Sequence, residues 1–164
     1  MALIAQPGHT DEKALTESPA VPAPAQFVTH HQVNVHGTRI AFAATAGETY
    51  LYNDKNEPIG SIFSYAYLRD GAAPNKRPVM FLVGGGPGAA SFSLNLGFGP
   101  WALAPGRLAL TAHQQPKATP PFDLVDNPDT LLDAADLVFI DPVGTGYSRI
   151  LGHGKPVLCW PTVG

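Results

Sequence analysis

Pro78-Val79-Met80-Phe81-Leu82-Val83-Gly84-Gly85-Gly86-Pro87-Gly88 decides how this chain is read. The apolar run from Pro78 to Val83 is the pattern of a strand buried on both faces. It turns abruptly into glycine, and Ala89 to Leu96 follow as a plausible helix. A second run of the same kind, Leu137-Val138-Phe139-Ile140, ends in Asp141-Pro142-Val143-Gly144-Thr145-Gly146-Tyr147-Ser148. Residues 97–128 between them are rich in Gly and Pro and read as a long ordered loop.

Upstream the texture is β. His31, Val33 and Val35 alternate with polar neighbours, Gly37-Thr38 supplies a turn, and Arg39 to Thr45 resumes the alternation. Thr49 to Asn53 reads as a short separate strand, Asp54 to Pro58 as a turn, and Ile59 to Arg69 as a long strand. The first half is therefore a run of antiparallel strands joined by hairpins. Residues 1–26 hold no aromatic side chain, six Ala and four Pro, too little apolar area to offset ordering entropy. They are expected to form a disordered leader. This leader has neither the basic start nor the long apolar run of a signal peptide. As it stands the chain reads as cytoplasmic, and a periplasmic or secreted full-length relative is compatible with it.

Composition excludes several functions. The 164 residues carry 10 Lys plus Arg against 13 Asp plus Glu, so no basic surplus draws nucleic acid. The single Cys159 allows no internal disulfide and no cysteine-based zinc site. No apolar run is long enough to span a membrane. His30, His31 and His36 lie close in sequence, but on one strand His30 and His36 share a face and His31 points away, so no metal site is expected. No cofactor is expected either. Gly84, Gly86 and Ala89 match a dinucleotide fingerprint, yet no Asp or Glu occurs from Gly84 to Phe122, where that fold needs one. Gly154-Lys155 is followed by Pro156 rather than Ser or Thr, so there is no phosphate-binding P-loop.

What remains for the glycine loop is an oxyanion-type anion site, or a tight strand-to-helix turn that holds no ligand. Backbone N–H groups without flanking Cβ atoms let an anion approach closely, and a helix start behind them adds partial positive charge.

The stretch RPVMFLVGGGPG at residues 77–88, Gly99-Pro100, and Asn127-Pro128 through Ser148 together resemble the serine carboxypeptidase family, above all its bacterial members. The likeness covers roughly residues 27–153. It implies an α/β fold, the N-terminal part of an α/β hydrolase, with antiparallel strands leading into a mostly parallel sheet. It also implies a serine-type peptidase that cleaves C-terminal peptide bonds through an acyl-enzyme, with a peptide as its partner. By resemblance Gly86 offers its N–H to the oxyanion, while Gly84 and Gly85 belong to the substrate-binding part of the loop. Gly85 helps hold the substrate's carboxylate; Gly84 stands where the family has a carboxylate-binding Asn. Putting that amide back, Gly84→Asn, is expected to strengthen recognition of a free C-terminus, unless Gly84 is there for backbone shape, in which case the substitution only destabilises the loop.

The family's G-x-S-x-G elbow and its triad Asp and His are not in this sequence, so the chain alone is expected to be inactive. Ser148 comes nearest, but Ile150 stands where the elbow needs glycine, and a turn-forming hydroxyl is the plainer role. His113 and His153 have no evident partner, and Asp136 and Asp141 read as turn and cap formers. The organisation is a leader at 1–26, a hydrolase-like portion at 27–150 and an atypical tail at 151–164, where Pro156 and Pro161 prevent the expected crossover helix. A truncation or shifted frame would account for that tail. Two other functions stay open: a fragment of another α/β hydrolase such as a proline iminopeptidase, and a non-catalytic β-rich binding domain.

Overall fold

The computed structural model describes residues 21–73, 76–85, 88–104 and 123–155. Its strands are β1 (Gln26–Val35), β2 (Thr38–Tyr52), β3 (Pro58–Arg69), β4 (Val79–Val83), β5 (Trp101–Leu103), β6 (Leu124–Asp126), β7 (Asp136–Asp141) and β8 (Arg149–Ile150). One helix, α1 (Phe92–Phe98), and a short 3-10 helix at Leu131–Asp133 complete the elements.

The α/β expectation is corrected here. The described residues are mostly β, with 50% strand and 9% helix, built on a mixed sheet of 6 strands. The sheet runs β1-β2-β3-β7-β4, with β8 beside β3 and β5-β6 as a separate pair. Only β4 and β7 are parallel; every other pairing is antiparallel. The physical reason lies in the β4-to-β7 connection. Its described residues hold a seven-residue helix, two three-residue strands and the 3-10 turn at Leu131–Asp133, too little helix to cover a parallel sheet.

The hairpin half matches the sequence reading in outline. His36 and Gly37 both adopt positive φ, 50° and 81°, so the β1–β2 turn has the mirror-image twist that two-residue hairpins favour. His36 thus sits in the turn, not on the strand face with His30. Strand β2 is one continuous element, so the short strand expected at Thr49–Asn53 merges into it, with an irregularity at Leu51/Tyr52. Gly47 lies in its interior, where a Cβ would come 3.0 Å from the Ala25 carbonyl oxygen; the start of β1 needs that space. The described residues also begin before residue 26. Pro22 accepts a bond from the Tyr50 hydroxyl, and Ala25 accepts one from the Glu48 N–H. Residues 1–20 of the expected leader lie outside the described residues.

The core forms on one face of the sheet. Val33, Val35, Ile40, Phe42, Tyr67, Leu137 and Phe139 are buried there, with Leu132 and Ala135 from the segment before β7 packed over them. Phe42, Tyr67 and Trp101 meet ring to ring, and Phe139 joins through Tyr67. The opposite face follows from the register: Leu68, Asp136 and Val79 share it, as do Ala66, Val138 and Phe81. Leu68, Val79, Phe81 and Val83 are exposed on it. The expectation that Pro78–Val83 is buried on both faces is therefore corrected. Among the described strands β4 lies at an edge of this sheet, and Phe81 is 66% exposed.

Candidate functional site

The parallel pairing of β4 and β7 brings the two glycine-rich turns to the same end of the sheet. Val83 pairs with Ile140, so Gly84 and Asp141 leave the ladder side by side. Asp141 joins the turns. It is buried, and its Oδ1 accepts both the Ser91 N–H at 2.8 Å and the Ser91 hydroxyl at 2.7 Å. Ser91 is the residue immediately before α1. This bond across fifty residues explains why the helix covers Phe92–Phe98 rather than Ala89–Leu96. Ser91 is fixed from outside the segment, and the helix starts behind it.

The turn after β7 is closed on itself. Gly144 and Gly146 have positive φ, 84° and 50°. A Cβ on Gly146 would overlap the Asp141 carboxylate, so that position needs glycine for two reasons. Thr145 bonds the Pro142 carbonyl with both its N–H and its hydroxyl. The Ser148 N–H goes to the Thr145 carbonyl. Ser148 is fully buried; its hydroxyl donates to the Asp141 carbonyl at 2.6 Å and accepts the Phe63 N–H at 2.7 Å. A hydroxyl engaged in this way is a structural bridge, in line with the plainer of its two sequence readings.

The loop after β4 differs. The Gly84 N–H donates to the Ile140 carbonyl at 3.3 Å, extending the ladder. A Cβ there would lie 2.5 Å from the Ala89 carbonyl oxygen and 2.8 Å from the Ala90 carbonyl carbon. Gly84 is thus a close-approach glycine, and the loop folds back over it. For Gly84→Asn this favours loop destabilisation over a gain in recognition: a Cβ there must displace backbone. Gly85 is exposed, and a Cβ on it would meet nothing within 4 Å. Gly88 has φ 88°. Gly86, the expected oxyanion donor, lies outside the described residues.

Other singled-out residues are structural. Asp136 accepts the Arg69 N–H at 3.0 Å and pairs with the Arg77 Nε at 3.1 Å, while Arg77 also bonds the Leu132 and Asp133 carbonyls. Asn127 is buried and donates to the Gly97 and Gly99 carbonyls, holding the exit of α1. His30 faces Asp70 at 3.9 Å on the surface, and His31 packs edge-on to Trp101. Among the described residues no group of three His, Cys, Asp or Glu could hold a metal. No helix among them is long and apolar enough to cross a membrane. His113 and Cys159 lie outside the described residues.

Sequence reasoning missed Ser91 and the ring cluster formed by Phe63, Tyr65 and Tyr147. Phe63 and Tyr65 alternate visibly on one strand face. Nothing local marks Ser91, because its partner lies fifty residues away. Comparison with known proteins gives no matching family model and no matching curated protein. The likeness to serine carboxypeptidases therefore rests on the two motifs.

Proposed function

We propose that the loop after β4 is an anion-binding loop for the C-terminal carboxylate and the reaction oxyanion of a peptide, in the N-terminal part of a serine-type carboxypeptidase. The observation that carries this reading is the contrast at Gly84-Gly85. One glycine is closed down by its neighbours, and the next lies open on the surface with no side chain in front of its backbone. The Asp141–Ser91 clamp anchors the far end of the loop at the start of α1. Gly85 would hold the carboxylate and Gly86 would face the oxyanion. The nucleophile and its base are outside this sequence, so the chain by itself binds and does not cleave.

The test is a titration of the isotopically labelled chain with N-acetyl-Ala-Ala and with its C-terminal amide, followed at the Gly85 amide. Saturable movement with the acid and much weaker movement with the amide is expected. Equal responses to the two would refute carboxylate recognition. A second test looks for activity: release of C-terminal residues from N-blocked dipeptides, abolished by a serine-directed phosphonate, would show a nucleophile within this chain and overturn the division of labour.

A further inference from the structure

Phe63, Tyr65 and Tyr147 form a ring cluster beside the two turns. The Phe63 and Tyr147 centroids are 5.1 Å apart, and those of Phe63 and Tyr65 are 5.2 Å apart. Tyr147 is 62% exposed, although the backbone on either side of it is held tightly. Gly146 is locked against the Asp141 carboxylate, and the Ser148 hydroxyl ties the turn directly to the Phe63 N–H. An exposed ring on a fixed backbone loses little conformational freedom when it stacks on a ligand.

The cluster is also within a peptide's reach of the glycine loop. Phe63 pairs with Asp141, and Gly84 leaves β4 beside Asp141. Two strand spacings, roughly 10 Å, therefore separate Phe63 from the loop's first glycine. One extended residue covers about 3.3 Å, and an aromatic side chain spans most of the rest. The turn that carries Tyr147 touches the loop's exit, since a Cβ on Gly146 would lie 3.3 Å from the Ala90 Cβ. The Tyr65 hydroxyl has no hydrogen-bond partner among the described residues.

We infer that Phe63, Tyr65 and Tyr147 are a subsite for an aromatic side chain at the penultimate position of the peptide whose carboxylate enters the loop after β4. This inference rests on the reading of that loop given above. Tyr147 supplies the exposed stacking face, Phe63 the floor, and Tyr65 a hydroxyl donor at the cluster's edge. Burial, then Asp141 and Tyr147, raise the Tyr65 pKa to about 12, so it remains a donor at any working pH.

The experiment compares dissociation constants of N-acetyl-Phe-Ala and N-acetyl-Ala-Ala, each as acid and amide, for the unaltered chain, Tyr147→Ala and Tyr147→Phe. The Phe probe is expected to bind the unaltered chain about 2- to 10-fold more tightly than the Ala probe, the scale of one aromatic pair. Tyr147→Ala should abolish that advantage and Tyr147→Phe should keep most of it. Equal binding of the two acids, or an advantage that survives Tyr147→Ala, overturns the subsite. An acid-over-amide preference without a Phe advantage leaves the loop reading standing and removes the subsite. A Phe advantage without acid preference does the reverse. Absence of binding by any probe overturns both.

Discussion

Two glycine-rich turns stand side by side at one end of this sheet, and they use glycine for opposite purposes. In the turn after β7, glycine lets the chain close over a carboxylate and use up its own polar groups. Gly146 makes room for Asp141, Thr145 bonds back to Pro142, and Ser148 bridges Asp141 to Phe63. In the loop after β4, Gly84 is closed down in the same way but Gly85 is left open. Similar composition thus yields a scaffold in one place and an accessible backbone in the other. What separates them is how many partners each residue has, which composition does not reveal.

The largest effect should come from the scaffold. Asp141→Ala removes a buried carboxylate that takes two bonds and leaves the Ser91 N–H and hydroxyl without their acceptor. A loss of about 3 kcal/mol is expected, since bonds to a charged acceptor contribute about 1.5–3 kcal/mol each. Urea unfolding of the variant and the unaltered chain measures it. A loss below 1 kcal/mol, on the same scale, would mean that Asp141 does not join the turns.

Gly84→Asn comes next. Its Cβ must push aside the Ala89 carbonyl, and overpacking of this kind costs about 1–3 kcal/mol. Carboxylate affinity should fall rather than rise. A tighter Kd for N-acetyl-Ala-Ala in the variant would show that the loop swings away from Gly84 and accepts the amide after all. Ser148→Ala should cost about 1–2 kcal/mol, because the partly buried Phe63 N–H loses its acceptor. Gly85→Ala should change stability by less than about 0.5 kcal/mol, as the site has open space in front of it. A stability loss at Gly85 as large as that at Gly84 would erase the distinction between the two glycines.

The smallest expected effect is a pH dependence. The folded-state pKa of Tyr65 is raised from 10.0 to about 12, so its contribution to stability is fully present below pH 10 and is lost as pH rises through about 12. Tyr65→Phe should flatten that part of the alkaline stability curve. Partial exposure of the ring limits its size. An unchanged curve would mean that Tyr65 titrates as it does in the unfolded chain.

The β1–β3 meander was legible because its signals are local. Alternation marks Val33 and Val35 as inward, and Gly37 and the Asp54–Pro58 stretch mark the turns. The junction of the two motifs was only half legible. Asp141 and Gly84 could be named, but the Asp141–Ser91 bond depends on strand order. The largest misreading concerned β4. An all-apolar run has no periodicity with which to tell covered faces from exposed ones, and among the described residues Val79–Val83 is an edge strand with exposed side chains. The expectation of a mostly parallel sheet came with the family likeness, and among the described strands only β4 and β7 pair in parallel. The obstacle to Gly84→Asn was hidden for a related reason, because the carbonyl over Gly84 belongs to a loop whose path the sequence does not show.

Amide hydrogen exchange, read residue by residue with and without saturating N-acetyl-Ala-Ala, tests the division between the turns most directly. The Thr145 and Ser148 amides, both hydrogen-bonded within their turn, should exchange slowly in both conditions. The Gly85 amide should exchange fast in the free chain, slow down with the acid, and stay fast with the matching amide. A Gly85 amide already protected in the free chain, or one indifferent to the carboxylate, would contradict the account.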